Sequence, residues 1–305
     1  MLSLADLSAD EISEVGDVAF QYGLAPRAFA GRLDGTRVGL VFTAPSTRTR
    51  TSFWSAALTL GCDVLHLGQA DLQVSTGETW SDTGAMLAHF LDVVVARTNG
   101  PQAELAELAV HVPATINALT HEEHPTQAIA DLCAMREHFG SIEDLRLAYL
   151  GTVNNTARAL ALLVSRLPFG SLDVYSPDGF GFSADELDSL SSVRGGDVVR
   201  QHHDVPATPR PVDVVYATRW HSMGGARHDE KWLAQFAQFA ITKELMGRFS
   251  GSTEAVFMHD LPAVRGQEVT SDVLDGLSTP SLVQRQAYHK ASAAASALLW
   301  STGTS

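Results

Sequence analysis

The feature that most limits the fold of this chain is the recurrence of short, almost wholly apolar runs, spaced so that each gap can hold a helix. One series lies at 38–43, 63–67, 91–96 and 114–119, and a second at 147–150, 172–175, 212–217 and 255–258. Runs this short do not make globular helices, and they lack the alternation of a half-exposed strand. They suit strands buried on both faces, as in a parallel sheet whose crossovers are helical. Segments such as 156–166 supply those crossovers. The pattern predicts an α/β fold with two doubly wound parallel-sheet domains.

A chain of 305 residues is long enough for two such domains, and 45% hydrophobic content beside 18% charged residues can furnish their cores. The formal net charge of -14 excludes broad attraction to nucleic acid or to an anionic membrane surface. Any anion site must therefore be a local concentration of donors. Cys62 and Cys133 stand far apart with no Cys/His spacing around them, so neither a disulfide framework nor a metal site is expected, and no cofactor motif stands elsewhere. The acidic, amphipathic stretch 1–22 lacks the basic start and apolar centre of a signal peptide, and no apolar run reaches the roughly 20 residues of a membrane span. The cytoplasm is the expected compartment.

Two helices matter for organisation. The stretch 124–139 opens with Pro125, which suits a first helical turn, and is expected to join the two halves. The Ala-rich stretch 287–300 is expected to form a final helix.

The first apolar run ends at Pro45 and passes into Ser46-Thr47-Arg48-Thr49-Arg50-Thr51-Ser52-Phe53, followed by a helical pattern over 54–60. Hydroxyls, backbone N–H groups and guanidinium groups thus gather at a helix N-terminus, where a phosphate is favoured by dipole and hydrogen bonds together. Taken alone, the run also reads as a capped helix with solvated arginines.

This run resembles the carbamoyl-phosphate signature of the aspartate and ornithine carbamoyltransferase family. Further segments match in family order: Arg97, His124-Pro125-Thr126-Gln127, 151–155, Trp220-His221-Ser222-Met223-Gly224, His259-Asp260-Leu261-Pro262 and Arg265-Gly266. The Ser-Met-Gly and His-x-Leu-Pro segments look like the ornithine branch. The resemblance implies a donor domain at 1–135 completed by a C-terminal helix at 285–305, an acceptor domain at 136–284, and a homotrimer or an assembly of trimers. It implies a metal-independent carbamoyltransferase acting on carbamoyl phosphate and an ornithine-like diamino acid or diamine. A genuine ornithine carbamoyltransferase, a carbamoyltransferase of natural-product biosynthesis and a non-catalytic ligand-binding homologue stand as alternatives. A dinucleotide-binding protein does not, because 151–155 lacks the glycine spacing for a pyrophosphate.

By the same resemblance Ser46, Thr47, Arg48 and Thr49 hold phosphate, Arg97 reaches phosphate and carbonyl oxygen, and His124 hydrogen-bonds the carbonyl oxygen. Gln127 and the carbonyl of Leu261 take the amide protons. Asn155, Thr218, Ser222, Met223 and Asp260 face the acceptor, and Thr79 and Trp80 belong to a loop that reaches a neighbouring subunit's site, with simple packing as the alternative for Trp80. Asp82 reads as a helix cap.

The departures concern mainly the acceptor. An aspartate is expected at 218, where this chain has Thr218, and a cysteine at 260, where it has Asp260. Asp260 can hold the amine as a cation, accept its proton, or turn outward to pair with an arginine. The late arginine of the family falls at Tyr288 or His289, with Arg285 as a substitute. Gly151-Thr152 replaces a glycine-aspartate pair.

Overall fold

The computed structural model of the chain describes residues 1–112, 114–220 and 230–304. They divide into two compact units, one of 1–133 with 287–305 and one of 134–286. Each is built on its own parallel sheet.

The first unit begins with helix α1 (Ala9–Leu24), whose Ser8 and Glu11 cap each other's backbone N–H groups. Its sheet comprises β1 (Arg37–Phe42), β2 (Asp63–Gly68), β3 (Val93–Arg97) and β4 (Ala114–Leu119), in the order β2-β1-β3-β4. The crossovers carry α2 (Arg48–Leu60), α3 (Trp80–Leu87) and α4 (Gln102–Ala109). The runs of β1, β3 and β4 are buried because both faces are covered, whereas edge strand β2, expected to be buried likewise, is largely exposed because it has a sheet neighbour on one side only. From β1 and β3, Val38, Leu40, Val93 and Val95 pack with Phe53, Leu60 and Leu298, whereas Val41, Val94 and Ala96 pack on the other face with Leu105 and Leu108.

The second unit holds β5 (Arg146–Leu150), β6 (Ser171–Tyr175), β7 (Val199–His202), β8 (Val214–Ala217) and β9 (Val256–His259), in the order β7-β6-β5-β8-β9. All paired strands in both sheets run parallel. The fold class expected from the apolar runs is thus the one observed. Edge strand β7 was not evident in the sequence, because Arg200 and His202 are polar. Their half-exposed side chains bond to the buried carboxylate of Asp173 on β6, which offsets that polarity.

Helix α5 (Pro125–Phe139) starts at the expected proline. Next come α6 (Asn155–Arg166), α7 (Ala184–Arg194), α8 (Glu230–Phe236), α9 (Lys243–Phe249) and α10 (Ser271–Leu274), and α11 (Val283–Ser301) ends the chain. The boundaries between units fall within α5 and α11. No helix among the described residues is long and apolar enough to cross a membrane.

Both sheets change winding direction internally, between β1 and β3 in the first and between β5 and β8 in the second. Loops leaving the carboxyl ends of strands at such a point diverge and leave a crevice, the usual ligand position in an open α/β sheet. The candidate residues lie at these two edges.

Candidate active site

In the first unit the loop after β1 delivers Ser46 and Thr47 to the N-terminus of α2. Thr47 is the N-cap residue but makes no side-chain capping bond, so its hydroxyl is not consumed by the helix. An α-helix leaves its first N–H groups without intrahelical acceptors, and α2 presents them together with Arg48 in its first turn. Arg50 stacks over Phe42, with its guanidinium carbon 5.2 Å from the ring centre.

Arg97 ends β3, and its carbonyl accepts from the N–H of Thr43, which ties the two strand ends together. The register between β3 and β4 shifts at this point, as Ala96 pairs with Asn117 but Arg97 with Leu119. Such an irregularity re-aims side chains. The Arg97 side chain is buried and donates from Nη1 to Ser46 Oγ and to Thr49 Oγ1, both at 3.2 Å. Thus Arg97, Ser46 and Thr49 form one cluster, with Arg48 one residue away on the helix.

His124 stands immediately before α5 and is buried. Burial, followed by the positive charges of Lys290 and Arg97, pushes its imidazole well below the ordinary histidine range. The ring is therefore neutral near pH 7 and carries one N–H. Thr126 Oγ1 lies 3.5 Å from Nδ1.

Gln127 donates from Nε2 to the buried Asp131 Oδ1 at 2.7 Å, and its Oε1 accepts from Lys290 Nζ. Lys290 is the residue that sequence reasoning missed. The late arginine of the family is expected at Tyr288 or His289, with Arg285 as a substitute, but it is Lys290 that meets Gln127. Tyr288 is half exposed and donates to the carbonyl of Gly23, and His289 is buried against Ser292. Arg285 pairs with Glu137 in the second unit, at 2.5 and 2.7 Å. The available signal lay in the Ala-rich stretch 287–300, where Lys290 is the one lysine or arginine and is nonetheless buried, 9% exposed.

Thr79 caps α3, accepting from the N–H of Asp82 and donating to its carboxylate. Trp80 is buried in its own unit with Leu72, Leu105 and Leu108. This contact is the simple packing that is the alternative to a role in a neighbouring subunit's site.

In the second unit the residues after β5, β8 and β9 form a directional network. Asn154 caps α6, its Oδ1 accepting from the N–H groups of Thr156 and Ala157 at 3.0 and 3.1 Å. Its Nδ2 donates to Thr218 Oγ1 at 3.1 Å, so the hydroxyl proton of Thr218 points to Asp260 Oδ1, also 3.1 Å away. The other carboxylate oxygen accepts from Thr156 Oγ1 at 2.8 Å. Asp260 thus turns inward, and among the described residues it has no pairing with an arginine. Thr152, in place of the expected aspartate, donates to the carbonyl of Trp220.

His259 is close to Asp260, with Nδ1 3.4 Å from Oδ1, but it is not the partner of that carboxylate. The N–H of Leu261 donates to the same Nδ1 at 2.8 Å, so Nδ1 is an acceptor and the ring proton sits on Nε2, facing Glu268 3.3 Å away. Leu261 adopts a left-handed φ of 56°, an uncommon conformation for a branched side chain, as is frequent at ligand sites. Asn155 is the first residue of α6. Ser222 and Met223 lie outside the described residues.

Residues 1–137 match the family domain described as "Aspartate/ornithine carbamoyltransferase, carbamoyl-P binding domain", and 143–302 match its "Asp/Orn binding domain". An ornithine carbamoyltransferase of Caldicellulosiruptor saccharolyticus is 37% identical over 281 residues, 90% of either chain. That of Symbiobacterium thermophilum is 38% identical over 285 residues, covering 90% of this chain and 89% of the relative. Among solved structures, ornithine carbamoyltransferase from Pyrococcus furiosus superposes with a TM-score of 0.90 at 31% identity, covering 99% of this chain and 96% of the other.

Proposed function

The chain belongs to the aspartate/ornithine carbamoyltransferase family, and from that premise we propose that it transfers the carbamoyl group of carbamoyl phosphate to one amine of an ornithine-like diamino acid or diamine. The observation that carries this reading is the cluster in the first unit, where buried Arg97 bridges the hydroxyls of Ser46 and Thr49 at the N-terminus of α2.

Ser46, Thr47, Arg48 and Thr49 bind the phosphate, with helix N–H groups and two arginines matching its charge. His124 donates its single N–H to the carbonyl oxygen, where negative charge develops as the carbon becomes tetrahedral. Arg97 serves the same oxygen and the phosphate. Gln127 and the carbonyl of Leu261 take the protons of the carbamoyl amide. Lys290, which the sequence reading had not singled out, adds a buried cation beside Gln127 and steadies its amide oxygen.

The neutral amine nitrogen attacks the carbonyl carbon and forms the new C–N bond. The C–O bond to phosphate then breaks, and its electron pair leaves on the phosphate. The surplus amine proton passes to that phosphate, giving a ureido product and inorganic phosphate. Two pre-positioned reactants supply much of the acceleration, with no covalent enzyme intermediate required.

The acceptor subsite comprises Asn155, Thr218, Ser222, Met223 and Asp260. We further propose a homotrimer or an assembly of trimers, for which Trp54, Leu58 and Leu65, all about half exposed on α2 and edge strand β2, are the supporting surface. The thiols of Cys62 and Cys133, neither of them in a disulfide, support a reducing compartment, the cytoplasm.

The test is to incubate the purified protein with carbamoyl phosphate and a panel of diamines and diamino acids, measuring phosphate release and ureido product. Amine-dependent release is expected, together with its loss in Arg48→Ala. A fully active Arg48→Ala protein would refute the donor assignment, and no release with any amine would refute carbamoyl transfer.

A further inference from the structure

The acceptor side of this chain carries a carboxylate in an unusual place, and its surroundings say what it is for. Asp260 accepts from Thr156 Oγ1 and Thr218 Oγ1, and no lysine or arginine among the described residues pairs with it. Its side chain is 16% exposed, so it is neither sealed in the core nor bathed in solvent. A carboxylate has about four lone-pair positions, and two hydroxyl donors leave room for more hydrogen bonds. His259 does not fill that room, because its Nδ1 is itself an acceptor of the Leu261 N–H.

Position matters as much as charge. The Thr218 hydroxyl lies 3.1 Å from the Asp260 carboxylate, so residues 218 and 260, at the ends of neighbouring strands β8 and β9, address the same small space. The negative charge that the resemblance led one to expect at 218 is therefore not lost from this space. It enters from the adjacent strand.

Resting on the carbamoyl-transfer reading above, we propose that Asp260 is the anchor for the second, non-reacting ammonium group of the acceptor. The attacking amine is a poor partner for this carboxylate, since a nearby negative charge favours the protonated amine, which has no lone pair to attack with. A non-reacting amine has no such conflict. A charge-assisted bond to it holds the other end of the molecule. The same charge repels a dicarboxylic acceptor.

The experiment compares wild type, Asp260→Asn and Asp260→Glu with putrescine, ornithine and butylamine as acceptors at saturating carbamoyl phosphate. Wild type is expected to favour putrescine or ornithine over butylamine in kcat/KM by roughly 10- to 100-fold, the worth of one charge-assisted hydrogen bond. In Asp260→Asn this preference should fall to within a few-fold of unity, chiefly through a raised KM for the two-amine substrates. The KM for carbamoyl phosphate and the melting temperature should stay near wild type, and Asp260→Glu should keep part of the preference. Equal slowing of diamine and monoamine in Asp260→Asn would overturn the proposal and mark Asp260 as acting on the attacking amine. An undiminished preference would overturn it as well. Failure of wild type to release phosphate with any amine would instead bring down the carbamoyl-transfer reading, and this proposal with it.

Discussion

The proton on His124 offers a quantitative test of the donor site. Its folded-state pKa lies well below the ordinary histidine value, first through burial and then through the charges of Lys290 and Arg97. In the unfolded chain the ring titrates near its usual ~6.5. Between these two values the unfolded state binds a proton that the folded state refuses. His124 therefore costs no stability above about pH 6.5, and stability falls by about 1.4 kcal/mol for each pH unit as the pH drops below it, until the folded value is reached. Urea unfolding of wild type and His124→Gln at pH 7.5, 6.5 and 5.5 measures this directly. The stability difference between the two proteins should hold steady over the upper interval and shift by about 1 kcal/mol against wild type over the lower one. Lys290→Met removes one of the two repelling charges, so His124 should titrate at higher pH in that variant and the acid-side loss should shrink. Parallel curves for wild type and His124→Gln would show that the imidazole is not held neutral, and the role of His124 as a neutral N–H donor would fall with it.

Removing the cation that bridges Ser46 and Thr49, by Arg97→Met, should raise the KM for carbamoyl phosphate about 10- to 100-fold while leaving the preference among acceptors unchanged; initial rates across a donor titration check this. Burial raises the Cys62 thiol to about 11, so native protein at pH 8 should react slowly with iodoacetamide at this position and rapidly once unfolded, as followed by mass spectrometry. Gly84→Ala should destabilise the first unit by roughly 1–3 kcal/mol in urea melts, because the new Cβ would come within 2.8 Å of the Leu108 carbonyl oxygen where α3 meets α4.

Much of the architecture could be read before any coordinates. Short apolar runs do two jobs at once, since a segment buried on both faces must be apolar throughout and a parallel partner must be reached by a crossover. Strands β1 to β6, β8 and β9 lie within or beside the expected runs, although β2, at the sheet edge, is largely exposed rather than buried on both faces. Strand β7 escaped because Arg200 and His202 become acceptable in a strand only when Asp173 of its neighbour lies opposite. The run from Ser46 to Arg50 could likewise be read as an anion cradle, because a helix N-terminus with hydroxyls and guanidinium groups attracts phosphate wherever it occurs.

Long-range convergence is a different kind of fact, and only the tertiary structure decided it. That Arg97 meets Ser46 and Thr49 depends on two strand ends being neighbours in a sheet. Lys290, not Tyr288, His289 or Arg285, meets Gln127 because the helical turn of α11 sends one residue inward and its neighbours elsewhere. Asp260 and Thr218, 42 positions apart, share one hydrogen bond because β8 and β9 are paired. Local order follows from neighbours in the chain, which a sequence displays. Charge that has moved between adjacent strands can be recognised only when both strand ends are seen side by side.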